Sequence, residues 1–162
     1  LVTGDPESIG KELTTNRIVR KITFTGSTEV GKILMRQSSD SIKKLSLELG
    51  GNSPFIVFDD ADIKKAVKDA VSCKFRNSGQ TCVCANRIYV QESICDQFVQ
   101  HFLEAVQELK VGDGFGDGVT QGPLIDQHAI DKMESHVKDA LSHGAHRARH
   151  RRWQIASGPG CL

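Results

Sequence analysis

The chain has 162 residues, 38% of them hydrophobic and 25% charged, enough apolar content for the core of one domain or parts of two. Its 21 lysines and arginines against 20 acids leave a net charge of +1, which gives no case for a nucleic-acid or membrane-surface partner. Four of the cations, Arg147, Arg149, Arg151 and Arg152, fall in a stretch without acids that begins at His146, so the body is mildly acidic and the tail basic. Apolar runs such as Phe55 to Phe58 are far shorter than the roughly 20 residues that span a bilayer. The chain starts at Leu1 with no basic and apolar leader, so a processed or truncated start is expected and no compartment can be read from it. Five cysteines, Cys73, Cys82, Cys84, Cys95 and Cys161, are an odd number without a secretory signal, which argues against a disulfide framework. Cys82 and Cys84 stand close together but lack the second matched pair of a structural zinc site, so no metal is expected.

In chain order, Ile18 to Thr25 is rich in β-branched and aromatic residues and predicts a strand that ends at Gly26-Ser27-Thr28. A helix follows over Thr28 to Gln37, with Val30, Ile33 and Leu34 on one face and Glu29 favouring the dipole in its first turn. Lys44 to Leu49 alternates and runs into Gly50-Gly51, a second strand that completes a βαβ unit. The continuous run Pro54 to Phe58 is of the kind found in buried strands. Asp59, Asp60 and Asp62 are helix-cap candidates for Ile63, Ala66, Val67, Ala70, Val71 and Phe75, a helical spacing that Gly79 can end. Ile88 to Val90 predicts another strand. Cys95, Phe98, Val99, Phe102, Val106 and Leu109 predict a long helix from about Ser93. A glycine-rich loop from Gly112 to Gly122 leads to a last helix marked by Ile130, Met133, Val137 and Leu141 and ended by Gly144. The tail from about His146 loses this periodicity and is expected to be disordered. It reads better as a non-native end than as a basic arm, since it lacks the aromatic interleaving of a nucleic-acid binder.

Three places carry chemistry. In Phe24-Thr25-Gly26-Ser27-Thr28-Glu29-Val30-Gly31, small residues stand where a strand hands over to a helix N-terminus, whose free amides can meet a phosphate. Glu48, between Leu47 and Leu49, is a carboxylate at an apolar strand end; burial there would raise its pKa towards that of a general base, but by itself it reads better as a strand-end Glu that reaches solvent. Cys82 follows Ser78-Gly79-Gln80-Thr81 beyond a predicted helix, where small and polar neighbours leave a thiol accessible, although a cysteine taken singly is more often buried and inert.

Together, the strings FTGSTEVG, LELGGNSP and FRNSGQTCVCANR, with 34 positions from Glu48 to Cys82, resemble the signatures of the aldehyde dehydrogenase superfamily over about residues 1 to 145. The resemblance implies an α/β protein: the end of a Rossmann-like dinucleotide-binding domain over 1–49, the start of the α/β catalytic domain over 50–145, and an atypical tail over 146–162. It implies that Cys82 attacks an aldehyde to form a thiohemiacetal, that a hydride passes to NAD or NADP, and that Glu48 activates the water which hydrolyses the remaining thioester. Gly26 and Ser27 match positions that meet the cofactor's pyrophosphate, and Gly50 a position near the nicotinamide. The Cys82 amide is the expected oxyanion donor. Its partner asparagine in the family, and further cofactor contacts, have no counterpart in this chain, so these 162 residues alone are expected to be inactive.

Lys74-Phe75-Arg76-Asn77 and Cys84 resemble the succinate-semialdehyde dehydrogenase branch. Arg76 offers a planar bidentate donor for the carboxylate of a short aldehyde acid, against the plainer reading of a helix-end cation. Cys84 is either a redox partner for Cys82 in a strained, reducible bridge or a packing residue. A glutarate-semialdehyde enzyme, an acylating dehydrogenase using coenzyme A (disfavoured by Glu48) and a non-catalytic truncated product are the alternatives. The resemblance also implies a homodimer or homotetramer, and a mitochondrial matrix location in a eukaryote or a cytoplasmic one otherwise.

Overall fold

The structure, a computed structural model, describes residues 1–146; the expected disordered tail lies outside them from Arg147 on. The chain divides into two compact units, Leu1–Gly51 and the part from Asn52 onward.

The first unit contains a helix that sequence periodicity does not announce. α1 (Pro6–Thr15) starts where the Asp5 carboxylate caps the Ser8 amide at 2.7 Å and Pro6 occupies the first turn, two local devices that start a helix without an apolar stripe. The strand β1 (Lys21–Thr25) pairs in parallel with β2 (Lys44–Glu48), in a register running from Lys21 opposite Lys44 to Thr25 opposite Glu48. Between them, α2 (Thr28–Ser38) is capped by Ser27. Its inward face differs from the expected one: Gly31, Leu34 and Ser38 are buried, while Val30 and Ile33 stay exposed. The reason lies in Gly31, whose position admits the Leu49 side chain so closely that a Cβ there would lie 2.7 Å from it. Thr14 of α1, fully buried, reaches Gln37 of α2 at 2.9 Å. Lys43 joins the carbonyls of Asn16 and Val19 at 2.7 and 2.8 Å, fixing the turn out of α1.

The second unit repeats the βαβ order. β3 (Ser53–Val57) pairs in parallel with β4 (Ala85–Val90) across the crossover helix α3 (Ile63–Phe75). Of the three aspartates, Asp62 is the cap, accepting from the Lys65 amide. The core gathers Val57, Val67, Ala70 and Phe98, the last from α4 (Glu92–Gln107), with Phe102 stacked on Phe98 at 5.8 Å. Burying a side chain the size of Phe98 is worth about 1.5–3 kcal/mol. β3 is not the doubly buried strand its composition suggests. Only Val57 is buried, whereas Ile56 and Phe58 are 58% and 63% exposed, because α3 and α4 pack on one face of a pair of strands and nothing described covers the other. α5 (Gln127–Ser142) has its expected position but buries none of its residues. Among the described residues, no helix is long and apolar enough to cross a membrane.

Candidate active site

In the first unit, Gly26, Ser27, Glu48 and Gly50 meet at the carboxyl end of the β1–β2 pair, the edge at which open parallel sheets receive ligands. The Gly26 amide donates to the Glu48 carbonyl at 3.0 Å, extending the ladder one rung beyond the strands. That amide is therefore engaged, contrary to the expectation of a free one at this position. The Ser27 hydroxyl accepts from the Val30 amide at 3.2 Å and the Ser27 carbonyl from the Gly31 amide at 3.0 Å. The amides of Thr28 and Glu29 have no acceptor among the described residues. They point along the helix axis where the dipole favours an anion. A Cβ on Gly26 would press the Phe24 ring at 2.4 Å, and Gly50 lies beside Thr28, its notional Cβ 3.8 Å from the Thr28 hydroxyl. Two open amides between glycines fit a pyrophosphate.

Glu48 ends β2 with its side chain exposed. Of the two local readings of Glu48, the strand end that reaches solvent is the one observed: Leu47 and Leu49 alternate with it, so they turn to the opposite face of the strand and leave Glu48 solvated.

In the second unit, Arg76, Cys82 and Cys84 lie on one segment of unusual backbone. α3 ends at Phe75 rather than at Gly79, and Asn77, Ser78 and Gly79 then take three successive left-handed conformations, with φ of 52°, 55° and 77°. Such conformations cost about 1–2 kcal/mol for a residue with a Cβ, least for Asn, and nothing for glycine. At Gly79 a Cβ would also meet the Lys74 carbonyl at 3.1 Å. Hydrogen bonds hold the turn. Asn77 Nδ2 donates to the Gln80 carbonyl at 3.2 Å, Ser78 Oγ to the Gly122 carbonyl at 3.0 Å, and the Ile125 amide to Gln80 Oε1 at 2.9 Å. At about 0.5–1.5 kcal/mol each, these are of the size needed to offset the strain.

Beyond the turn Cys82 is exposed, and its amide has no acceptor among the described residues. Cys84, two residues on, is 2% exposed and directs its thiol to the Gly79 carbonyl at 3.3 Å. The two thiols thus occupy opposite settings, one in solvent and one inside. Cys73 adds a second sulfur contact by accepting the Ala85 amide at 3.3 Å. Arg76 caps α3 with its side chain exposed, and its guanidinium has no ion pair or hydrogen bond among the described residues. Two shallow concavities of this unit lie beside β3, one against α3 around Ala61 and Lys65 and one against β4 around Tyr89 and Val90. Sequence reasoning missed the roles of Ser78, Gln80, Gly122 and Ile125; only the run Asn77-Ser78-Gly79, rich in residues that tolerate positive φ, marked the turn.

An α/β chain with an anion-ready helix N-terminus in one unit and a presented thiol in the other is of the dinucleotide-binding type. It belongs to the aldehyde dehydrogenase family, which it matches over residues 1–154, a span that reaches eight residues past the described ones into the basic tail. Among curated relatives it is 59% identical over 145 residues to the NADP(+) succinate-semialdehyde dehydrogenase of Escherichia coli, covering 90% of this chain and 30% of the relative. It is 57% identical over 145 residues to the glutarate-semialdehyde dehydrogenase of Pseudomonas putida, with the same coverage. With the mitochondrial succinate-semialdehyde dehydrogenase of Arabidopsis thaliana it shares 61% over 145 residues, 90% of this chain and 28% of that one. The chain therefore spans about 30% of the length of these relatives.

Solved structures agree. A crystal structure of an NADP-dependent enzyme from E. coli superposes with a TM-score of 0.89 at 57% identity, over 91% of this chain and 31% of that one. Betaine aldehyde dehydrogenase from Staphylococcus aureus, in complex with NAD+, gives 0.88 at 36% identity, over 92% and 30%. The α/β fold expected from the motifs is that of these enzymes.

Proposed function

We propose that the protein carrying this sequence oxidises succinic semialdehyde to succinate with NAD or NADP, and that Cys82 is its nucleophile. The observation that carries the reading is the presentation of Cys82: an exposed thiol on a loop held in strained backbone, with an unengaged amide at the same residue and an unpaired guanidinium at Arg76 where the loop begins. Cys82, as the thiolate left when its proton passes to water, attacks the aldehyde carbon; the carbon–sulfur bond forms as the carbonyl π bond opens, and the Cys82 amide donates to the resulting oxyanion. A nicotinamide cofactor bound by this protein would supply the acceptor for the hydride that must leave this carbon. Glu48 takes a proton from water, which attacks the resulting thioester and releases the acid and the thiol. Gly26, Ser27 and Gly50, with the open amides of Thr28 and Glu29, hold the pyrophosphate side of the cofactor, and Arg76 holds the carboxylate at the far end of the substrate.

The likeness to a glutarate-semialdehyde dehydrogenase supports a second reading, in which the aldehyde acid is one carbon longer, because a single arginine recognises a carboxylate without measuring the chain that bears it. One experiment separates these readings: assaying the full-length enzyme and its Arg76→Ala variant on succinic semialdehyde, glutaric semialdehyde and an uncharged aldehyde, with NAD and with NADP. Loss of a charged hydrogen-bonded pair should raise KM for the preferred aldehyde acid by about 10- to 100-fold and leave the uncharged aldehyde unaffected. Equal effects on all three would sink the carboxylate role. As a polypeptide of 162 residues, the chain is expected to form no NADH from any of them.

A further inference from the structure

We propose that Gln80 is a positioning residue for Cys82, acting through a tether between the nucleophile's segment and the remote stretch Gly122–Ile125. The proposal rests on the reading of Cys82 as the nucleophile and deepens it.

Gln80 closes the left-handed turn from its C-terminal side. Its amide donates to the Asn77 carbonyl at 3.1 Å, its Nε2 approaches the same carbonyl at 3.4 Å, and its carbonyl accepts from Asn77 Nδ2 at 3.2 Å. Its Oε1 meanwhile accepts the Ile125 amide at 2.9 Å, 45 residues away. Ser78 makes a parallel bond to the Gly122 carbonyl, 44 residues away. The far end of the tether is itself braced: the loop before it closes on itself through the Val111–Gln121 bridge and through the Thr120 hydroxyl, which accepts the Lys110 amide at 2.9 Å. The Ile125 side chain is 84% exposed, and the bonds from Gln80 and Ser78 tie its segment to the turn. Asn77 and Ser78 have less strained conformations available to them, and without the tether the turn would relax. Relaxation would displace Cys82, two residues beyond Gln80, from the position in which its thiol is presented.

The test uses the 162-residue chain and two substitutions. Gln80→Met keeps the volume and removes both polar atoms; Gln80→Glu keeps the acceptor for Ile125. The expected results are that Gln80→Met speeds exchange of the Ile125 amide by at least about ten-fold, the loss of about one hydrogen bond, and slows alkylation of Cys82 by iodoacetamide by about three-fold or more. Gln80→Glu should stay near the original chain in both. Unchanged exchange in Gln80→Met overturns the tether, and faster exchange with unchanged alkylation reduces Gln80 to a structural role. Gln80→Leu, a second apolar replacement that cuts the same bond, keeps the test open if Gln80→Met does not fold: original values for both readouts would again overturn it. In the full-length enzyme the same loss should lower kcat with KM for the aldehyde held within about two-fold, and Gln80→Glu should restore kcat. A full-length enzyme that oxidises no aldehyde would sink the proposed function, while exchange and alkylation would still decide the tether.

Discussion

The two units prepare for chemistry in opposite ways. The first places Gly26, Ser27, Glu48 and Gly50 on ordinary backbone, at the end of a parallel strand pair and the start of a capped helix. What it offers a ligand, two open amides and a helix dipole, comes from secondary structure and needs no strain. The second places Cys82 beyond three consecutive left-handed residues, held by side chains that reach a distant loop. An anion cradle tolerates small displacements because charge acts over distance. A nucleophile must be set to within a fraction of an ångström of its target, and strain held by hydrogen bonds is a way to fix a loop that closely. The contrast explains why glycines and caps mark the first unit in the sequence, while the second is marked by a cysteine whose supports are scattered.

The sharpest way to break the comparison is to remove one reacting group from each unit of the full-length enzyme. Cys82→Ala should abolish both the initial burst of NAD(P)H and steady turnover, the latter by roughly 10⁴- to 10⁶-fold. Glu48→Gln should keep the burst, since the carbon–sulfur bond and hydride transfer do not require the base, and lower steady turnover by about 10²- to 10⁴-fold. A Glu48→Gln enzyme without a burst would place the carboxylate in the first half of the reaction and remove the division of labour between the units.

The next effect concerns stability. Phe98 is the largest member of the second unit's core, 2% exposed and stacked on Phe102. Phe98→Ala should destabilise that unit by about 3–5 kcal/mol, seen by denaturant titration as early loss of protection at Val57, Val67 and Ala70. Amides of β1 and β2 should keep their protection, because the first unit contributes nothing to this cluster. Simultaneous loss in both units would show that they unfold as one.

Much of this design is written locally in the sequence. α2 runs one residue past its expected end, β2 one short of it, and Asp62 was among the caps proposed. Each follows from neighbours within four positions, where period and capping act. α1 escaped because Gly10 interrupts it and only Ile9 and Leu13 stand at helical spacing among its polar residues; Asp5-Pro6 was its sole announcement. The face of β3 was misjudged for another reason: an apolar run tells what a strand could bury, but not whether something covers it. At Glu48 the plainer of two local readings holds, since flanking leucines on a strand turn away from it and leave it in solvent. As for the site, the turn at Gly26–Ser27 follows from local sequence, while the roles proposed for Cys82 and Arg76 come from the motifs read together and not from residue type alone. The bonds of Ser78 and Gln80 to Gly122 and Ile125 were not legible, because contacts across 44 and 45 positions leave no local signature.

The smallest effect sharpens the comparison at the first unit's edge. The Asp5 carboxyl titrates below its ordinary value of 3.8, chiefly through hydrogen bonds from the Ser8 hydroxyl and then from the Ser8 amide. A depressed folded-state pKa means that the unfolded chain takes up its proton first, so acid favours unfolding. The contribution is complete above 3.8 and is lost as pH falls below that value through the folded one. Between pH values of about 6 and 2, the Cα chemical shifts of Glu7 to Gly10 should therefore move towards coil while α1 loses its cap. Asp5→Asn retains an acceptor for the Ser8 amide but cannot titrate, so it should flatten this response without unwinding the helix at neutral pH. If the variant frays with acid as the original chain does, the Asp5 cap is not the acid-sensitive element of α1.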